Sequence, residues 1–224
     1  MKITFLGTGA ADWNRELHKD MEGFRRNSSC LIDDVFLIDP GPDVFDALEA
    51  FGKSPDRIKY IINTHNHSDH YSKETVDRLT DATFYPLNEG EVITVGKYTV
   101  EALEANHATV EKPVHFIISD GEHSLFYGMD GAWLTYSEVA AIKKNGVSVA
   151  VIDATVGDTP GDFRIFEHND LNMVREIKHS LKNYVGRWII NHMARTLHTS
   201  HAELVENMAR DGIEVAYDGM ETEI

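Results

Sequence analysis

The chain has 224 residues, 42% of them hydrophobic and 26% charged, which suits one globular domain or two small halves sharing a core. A formal net charge of −16, with no basic tract longer than Arg25-Arg26 or Lys143-Lys144, disfavours a protein that grips long nucleic acid through a basic face. No apolar run approaches the ~20 residues that span a bilayer, and the opening residues read as a first strand rather than a signal peptide.

Cys30 is the single cysteine. It excludes an internal disulfide, and beside Leu31 and Ile32 it looks like a core thiol, so the cytoplasm is the expected compartment. Residues 2–6 form the first strand, and Gly7-Thr8-Gly9-Ala10-Ala11 is a small-residue turn that lets other loops come close. It is only superficially a phosphate cradle, because no helix follows. Residues 12–27 are polar and irregular, a surface loop able to border a pocket. Two β-type runs, 28–32 and 35–38, flank Asp33-Asp34 as a tight hairpin. Asp39-Pro40-Gly41-Pro42 stops the second run, and Asp43 caps a helix through Ala50.

The next strand, 59–63, feeds the densest chemistry in the chain: Thr64-His65-Asn66-His67-Ser68-Asp69-His70. Ser72 then caps a helix, 83–85 is a short strand, and 92–103 includes a hairpin turned at Gly96 that runs into Asn106-His107. Strands at 114–119 and 124–127 are turned by Asp120-Gly121 and end in Gly128-Met129-Asp130-Gly131. A helix capped by Thr135 or Ser137 leads to a buried-looking strand, 147–152, closed by Asp153. After a loop over 155–165, His168-Asn169-Asp170 opens an amphipathic helix to Lys182. A strand at 187–190 ends at Asn191-His192, Thr199 or Ser200 caps a last helix to Arg210, and 213–217 is the final strand. Strands and helices in this order suggest two similar α/β halves rather than a doubly wound sheet.

Imidazole and carboxylate are ordinary ligands for zinc and similar divalent ions. His65, His107, Asp130, Asp153 and His192 all follow predicted strands closely, the place where a rigid scaffold builds a site. Any one of them alone reads more simply as a solvated loop residue or a satisfied core group. Three histidines and an aspartate within six residues of one strand end have no packing purpose, and the repetition elsewhere points the same way. His198 and His201 stay open as alternatives to His192.

The H-x-H-x-D-H segment after a strand resembles the signature of the metallo-β-lactamase superfamily, followed in order by a later histidine, an aspartate in a Gly-x-Asp-Gly turn and a final histidine. The closing Ala216-Tyr217-Asp218-Gly219-Met220 is similar to the last strand of the phosphodiesterase branch, which includes ribonuclease Z and the cyclic phosphodiesterase of the carbon–phosphorus lyase pathway. The resemblance implies an α/β four-layer αβ/βα sandwich, two mixed β-sheets face to face with helices outside, built as one domain over 1–224 from two α/β halves. It implies two divalent ions, zinc or manganese with iron also compatible. His65, His67 and His107 hold the first, Asp69, His70 and His192 the second, and Asp130 bridges them.

Asp69 and His168 are the implied catalytic residues, His168 poised over the leaving group with Asp170 or Asp69 offsetting the helix N-terminus; the simpler reading leaves His168 incidental beside a cap. Asn66, Asn106 and Asn191 are candidates to fix ligand geometry, and Arg25, Arg26 or Arg195 to bind a distal anion. The cysteine-built structural zinc site of the cyclic phosphodiesterase cannot exist with Cys30 alone, so residues 12–27 must be ordered another way. The long basic excursion of ribonuclease Z is also missing.

The expected function is a dinuclear phosphodiesterase acting on a small, cyclic-nucleotide or sugar, phosphodiester through a hydroxide shared by the ions. The rivals are hydrolysis of a thioester, lactone or lactam on the same site, and a non-catalytic metal-binding module. The expected partner is a small anionic substrate, without long nucleic acid or membrane, and with a homodimer left open.

Overall fold

The computed structural model describes residues 1–224. The first sheet begins with β1 (Lys2–Gly7), β2 (Ser29–Ile32) and β3 (Phe36–Ile38), antiparallel neighbours, the last two joined through Asp33-Asp34 as the sequence predicts. Both aspartates adopt positive φ, which their short polar side chains tolerate. β4 (Tyr60–Ile62) and β5 (Thr83–Phe84) then add in parallel beyond β3. Helix α2 (Val44–Ala50) connects β3 to β4, and α3 (Lys73–Arg78), capped by Ser72, connects β4 to β5.

The second sheet starts with the antiparallel run β6 (Val92–Val95), β7 (Tyr98–Glu104), β8 (Val114–Ser119) and β9 (Ser124–Gly128). β10 (Val147–Asp153), β11 (Val185–Asn191) and β12 (Glu214–Val215) continue it in parallel. Its crossovers are α4 (Tyr136–Asn145), α5 (Leu171–Leu181) and α6 (His201–Ala209), capped by Thr135, Asp170 and Ser200.

Strand alternation sorts the core into layers. Phe5, Cys30, Ile32, Phe36, Ile38 and Ile62 face Val100, Phe116, Tyr127, Val149, Val151 and Ile189 between the sheets. The intervening Leu31, Leu37 and Ile61 pack outward with Val44, Ala47 and Leu48 of α2. On the other side Phe126, Ile152, Trp188 and Ile190 pack with Ile142, Val174, Ile177, Leu204 and Met208 of α4, α5 and α6. This is the four-layer αβ/βα sandwich expected from the sequence, with two mixed sheets face to face and helices outside.

Two expectations need correction. The strand over 213–217 shrinks to β12 and is not the last, because β13 (Glu221–Glu223) pairs with β1 at the edge of the first sheet. Its Glu-Thr-Glu has no apolar face to betray a strand, and charge suits an exposed edge. Residues 12–27, expected to be irregular, hold a short helix, α1 (Arg15–His18), and as expected they are held without any cysteine. Trp13 Nε1 donates to the Met193 carbonyl at 3.0 Å, and the buried Arg25 donates to Thr8 and to the Ala216 carbonyl at 2.6 and 3.0 Å. Gly7 and Gly9 allow this closeness, since a Cβ on Gly7 would lie 2.0 Å from the Asn27 carbonyl oxygen.

Candidate metal centre

The C-terminal ends of β3, β4, β10 and β11 point to one edge of the sandwich, where they are joined by the turns after β7 and β9. His65, His67, Asp69 and His70 arrive from β4, His107 from β7, Asp130 from β9, and His192 from β11. The structure gathers these side chains into two donor sets that share Asp130: His65, His67 and His107 on one side, Asp69, His70 and His192 on the other. One Asp130 oxygen lies 3.4 Å from His65 Nε2 and 3.7 Å from His107 Nε2. Its other oxygen lies 3.2 Å from His70 Nε2 and 3.0 Å from His192 Nε2. Asp69 closes the second set, 3.4 and 3.5 Å from the same two nitrogens.

The surrounding hydrogen bonds fix which ring nitrogens present lone pairs. A hydroxyl has one proton, and Thr155 gives its own to Asp153 at 2.9 Å, so it accepts from His192 Nδ1 at 2.7 Å. Thr64 likewise donates to Asp39 at 3.0 Å and accepts from His65 Nδ1 at 3.0 Å. Asp39 accepts directly from His70 Nδ1 at 2.9 Å, and the Glu167 carbonyl from His107 Nδ1 at 3.3 Å. Each of these four rings therefore turns Nε2 inward, and His67 turns Nδ1 to within 3.2 Å of His107 Nε2.

The donors fit divalent ions. His70 and His192 bring their Nε2 atoms within 3.1 Å of each other. Buried His65 Nε2 and the Asp130 oxygen facing His70 and His192 make no hydrogen bond of good geometry. Burial alone would lower His70 and His192, but Asp130 and neighbouring carboxylates outweigh it and raise both well above the usual histidine range. Such basicity is a demand for positive charge at Nε2, which a metal ion also meets. Burial instead lowers His65, and lowers His107 to about 4, leaving neutral rings with lone pairs available.

His168 lies beside the second set, two residues before the Asp170 cap. Its Nδ1 is 2.9 Å from Asp153, and burial's downward pull is overcome by that carboxylate, so His168 is raised. The offsetting acid is thus Asp153, not Asp170 or Asp69. Asp153 is held in turn by the amides of Thr155 and Asn169, at 3.0 and 3.1 Å. A cavity of about 230 Å³ opens over the centre, reaching His168, Arg164, Glu167 and Asp12.

His198 and His201 stand apart from both donor sets. His198 donates to the Ala154 carbonyl at 2.7 Å, and His201 Nδ1 lies 3.0 Å from Arg25. The arginines expected at a distal anion are otherwise engaged. Arg25 is buried as described, Arg26 pairs with Asp46, and Arg195 bonds to Asp12. Arg164, from a 3-10 turn over Phe163–Phe166, is the one that lines the cavity. Asn106 bonds to the Ala132 carbonyl at 2.7 Å, Asn66 is exposed beside Asn63, and Asn191 is buried near the Met129 sulfur. Asp39 and Thr155 escape a sequence reading, although Asp39 ends a strand and precedes a proline as a marked residue.

Comparison with known proteins agrees with this architecture. The Metallo-beta-lactamase superfamily model matches residues 23–73, which take in the H-x-H-x-D-H segment. A UPF0173 protein of Pyrococcus abyssi is 32% identical over 102 residues, a match spanning 37% of this chain and 45% of that protein, under half its length. The metallo-beta-lactamase fold protein YhfI of Bacillus subtilis superposes with a TM-score of 0.77 at 15% identity, covering 100% of this chain and 99% of that one. Zn(2+)-bound PqqB of Methylobacterium extorquens gives 0.76 at 17% identity with 100% of both chains covered. A diphosphatase from the PhnP family gives 0.73 at 18% identity, covering 100% of this chain and 97% of the other.

Proposed function

We propose that this chain, which carries the metallo-β-lactamase fold, is a dinuclear metal-dependent hydrolase of small anionic phosphodiesters. The observation that carries the reading is the Asp130 carboxylate, with one oxygen turned to each donor set. His65, His67, His107 and Asp130 would hold one ion, and Asp69, His70, His192 and Asp130 the other. When bound, zinc or manganese supplies Lewis acidity at the phosphoryl oxygens and lowers the pKa of water.

The chain's own groups do the rest. Asp69, on the second set, faces the cavity and orients the attacking water. His168, tethered at Nδ1 by Asp153, keeps Nε2 for the leaving oxygen, and the raised basicity keeps it protonated to deliver the proton. Arg164, its guanidinium forked on Asp162 at 2.8 and 2.6 Å, keeps its remaining N–H groups at the cavity mouth for the substrate's anionic part. The modest cavity and the net charge of −16 favour a small substrate over a long nucleic acid. The diphosphatase of the PhnP family among the structural neighbours supports phosphorus–oxygen chemistry over the rival bonds.

Bis(p-nitrophenyl) phosphate, a thioester and a chromogenic lactam, each offered with zinc or manganese, test the assignment. Turnover of the phosphodiester, lost with a chelator and restored by metal, is expected. Turnover of the thioester or lactam with an inert phosphodiester would move the site to those bonds.

A further inference from the structure

A second buried pair lies under the centre without contributing to either donor set. His115, on β8, and Glu138, in the first turn of α4, are both buried, and His115 Nδ1 lies 2.5 Å from a Glu138 oxygen. The other ring nitrogen, Nε2, lies 3.1 Å from the Met129 carbonyl. A carbonyl only accepts, so Nε2 donates, and Nδ1 is hydrogen-bonded to the Glu138 carboxylate. The second Glu138 oxygen accepts from the Thr135 amide at 2.5 Å, which ties the pair to the start of α4.

The turn above is built around this ring. A Cβ on Gly131 would lie 2.6 Å from His115 Cε1, and one on Gly128 would meet the Phe126 ring at 2.7 Å before His115 Nδ1 at 3.3 Å. Between those glycines Asp130 holds φ at 58°, the left-handed conformation that a short polar side chain tolerates and a tight turn uses. His115 grips the carbonyl just before Asp130, while Asn106 grips the turn just after it through the Ala132 carbonyl and amide. A buried ion pair adds little to stability compared with well-packed apolar residues, so its place here calls for a specific role.

We propose that His115 and Glu138 are positioning residues that fix the Asp130 turn, so that its carboxylate serves both metal sets at once. The inference rests on Asp130 lying between two ions. It predicts that breaking the pair weakens occupancy of the shared site by roughly 10–100-fold, as loss of a ligand-orienting contact does elsewhere. Glu138→Gln keeps the geometry with neutral groups: its carbonyl oxygen accepts from Thr135 and its amide donates to Nδ1 of a neutral His115. Glu138→Leu removes both bonds, and Gly131→Ala forces the turn off the ring while leaving the pair intact.

The test is titration of the full chain with cobalt(II), read by absorption spectrum and by elemental analysis after dialysis, with circular dichroism as the control for folding. Wild type and Glu138→Gln are expected to hold two ions with the same spectrum. Glu138→Leu and Gly131→Ala are expected to lose one ion, or to bind it at least tenfold more weakly, with a changed spectrum. If Glu138→Leu does not fold, Gly131→Ala against Glu138→Gln decides. Wild-type stoichiometry and spectrum in the folded variants would overturn the proposal, as would equal loss in Glu138→Gln and Glu138→Leu. A wild type that binds one ion would overturn the dinuclear reading instead, and the variants' affinity for that ion still decides the role of the pair.

Discussion

His168 shows how one contact sets a residue's use. Nδ1 is committed to Asp153 at 2.9 Å, so Nε2 alone is left to meet a substrate. Protonated imidazole is the acid form, and Asp153 raises His168 against the downward pull of burial. Activity that needs this acid should be full below the raised pKa and fall as pH rises through it. His168→Ala should keep its metal content and lose roughly 10²–10⁴-fold in turnover of an alkyl phosphodiester, along with that alkaline limb. With a p-nitrophenyl ester, whose leaving group needs no proton, the loss should be much smaller. An unchanged rate on the alkyl ester would leave His168 as a residue beside a helix cap. The ligand candidates were legible one by one because H-x-H-x-D-H and Gly-x-Asp-Gly crowd chemistry into short spans. Thr64, Thr155 and Asp39 were not, because their part is the direction of a proton, which appears only when the ring they restrain is seen beside them.

Elements were legible where pattern and punctuation coincided. Asp33-Asp34 between apolar runs marked the hairpin, Ser72 marked one helix start, and Thr135 and Ser200 were each one of two cap candidates that the structure decides between. β13 was hidden because its pairing with β1 is long-range and its residues are polar. The Asp33 turn also fastens the two sheets together at the opposite end of β3 from Asp39. Its carboxylate accepts from the Lys2 amide and from the Tyr98 hydroxyl, both at 2.7 Å, and lies 2.8 Å from Lys97. Partial burial would raise Asp33, but Lys97, the Lys2 amide and Tyr98 outweigh it and bring it down to about 2. A depressed carboxyl contributes stability that is complete above its unfolded pKa, near 4, and disappears as pH falls through about 2. Asp33→Asn, which tolerates the positive φ, should therefore lower the urea midpoint at pH 7, and the gap should close towards pH 2. A gap of the same size at both pH values would assign the effect to shape rather than charge.

The whole molecule draws four of its six buried carboxylates, Asp39, Asp69, Asp130 and Asp153, to one edge of the sandwich. A ligand that binds only the folded state stabilises it, by about 4 kcal/mol when present at a thousandfold excess over its Kd. Chelation should therefore lower the thermal midpoint by several degrees, and zinc or manganese should restore it. An unchanged midpoint, with metal loss verified by elemental analysis, would show that the centre is not coupled to folding. The way the donors divide between the sheets gives this coupling a further meaning. His65 and His67 come from the first sheet and His107 from the second; Asp69 and His70 come from the first and His192 from the second; Asp130, from the second, belongs to both. Neither sheet contains a complete ligand set. Bound ions would act as solder across a seam, joining segments far apart in sequence much as a pair of disulfides would, in a chain whose lone cysteine can form none within itself.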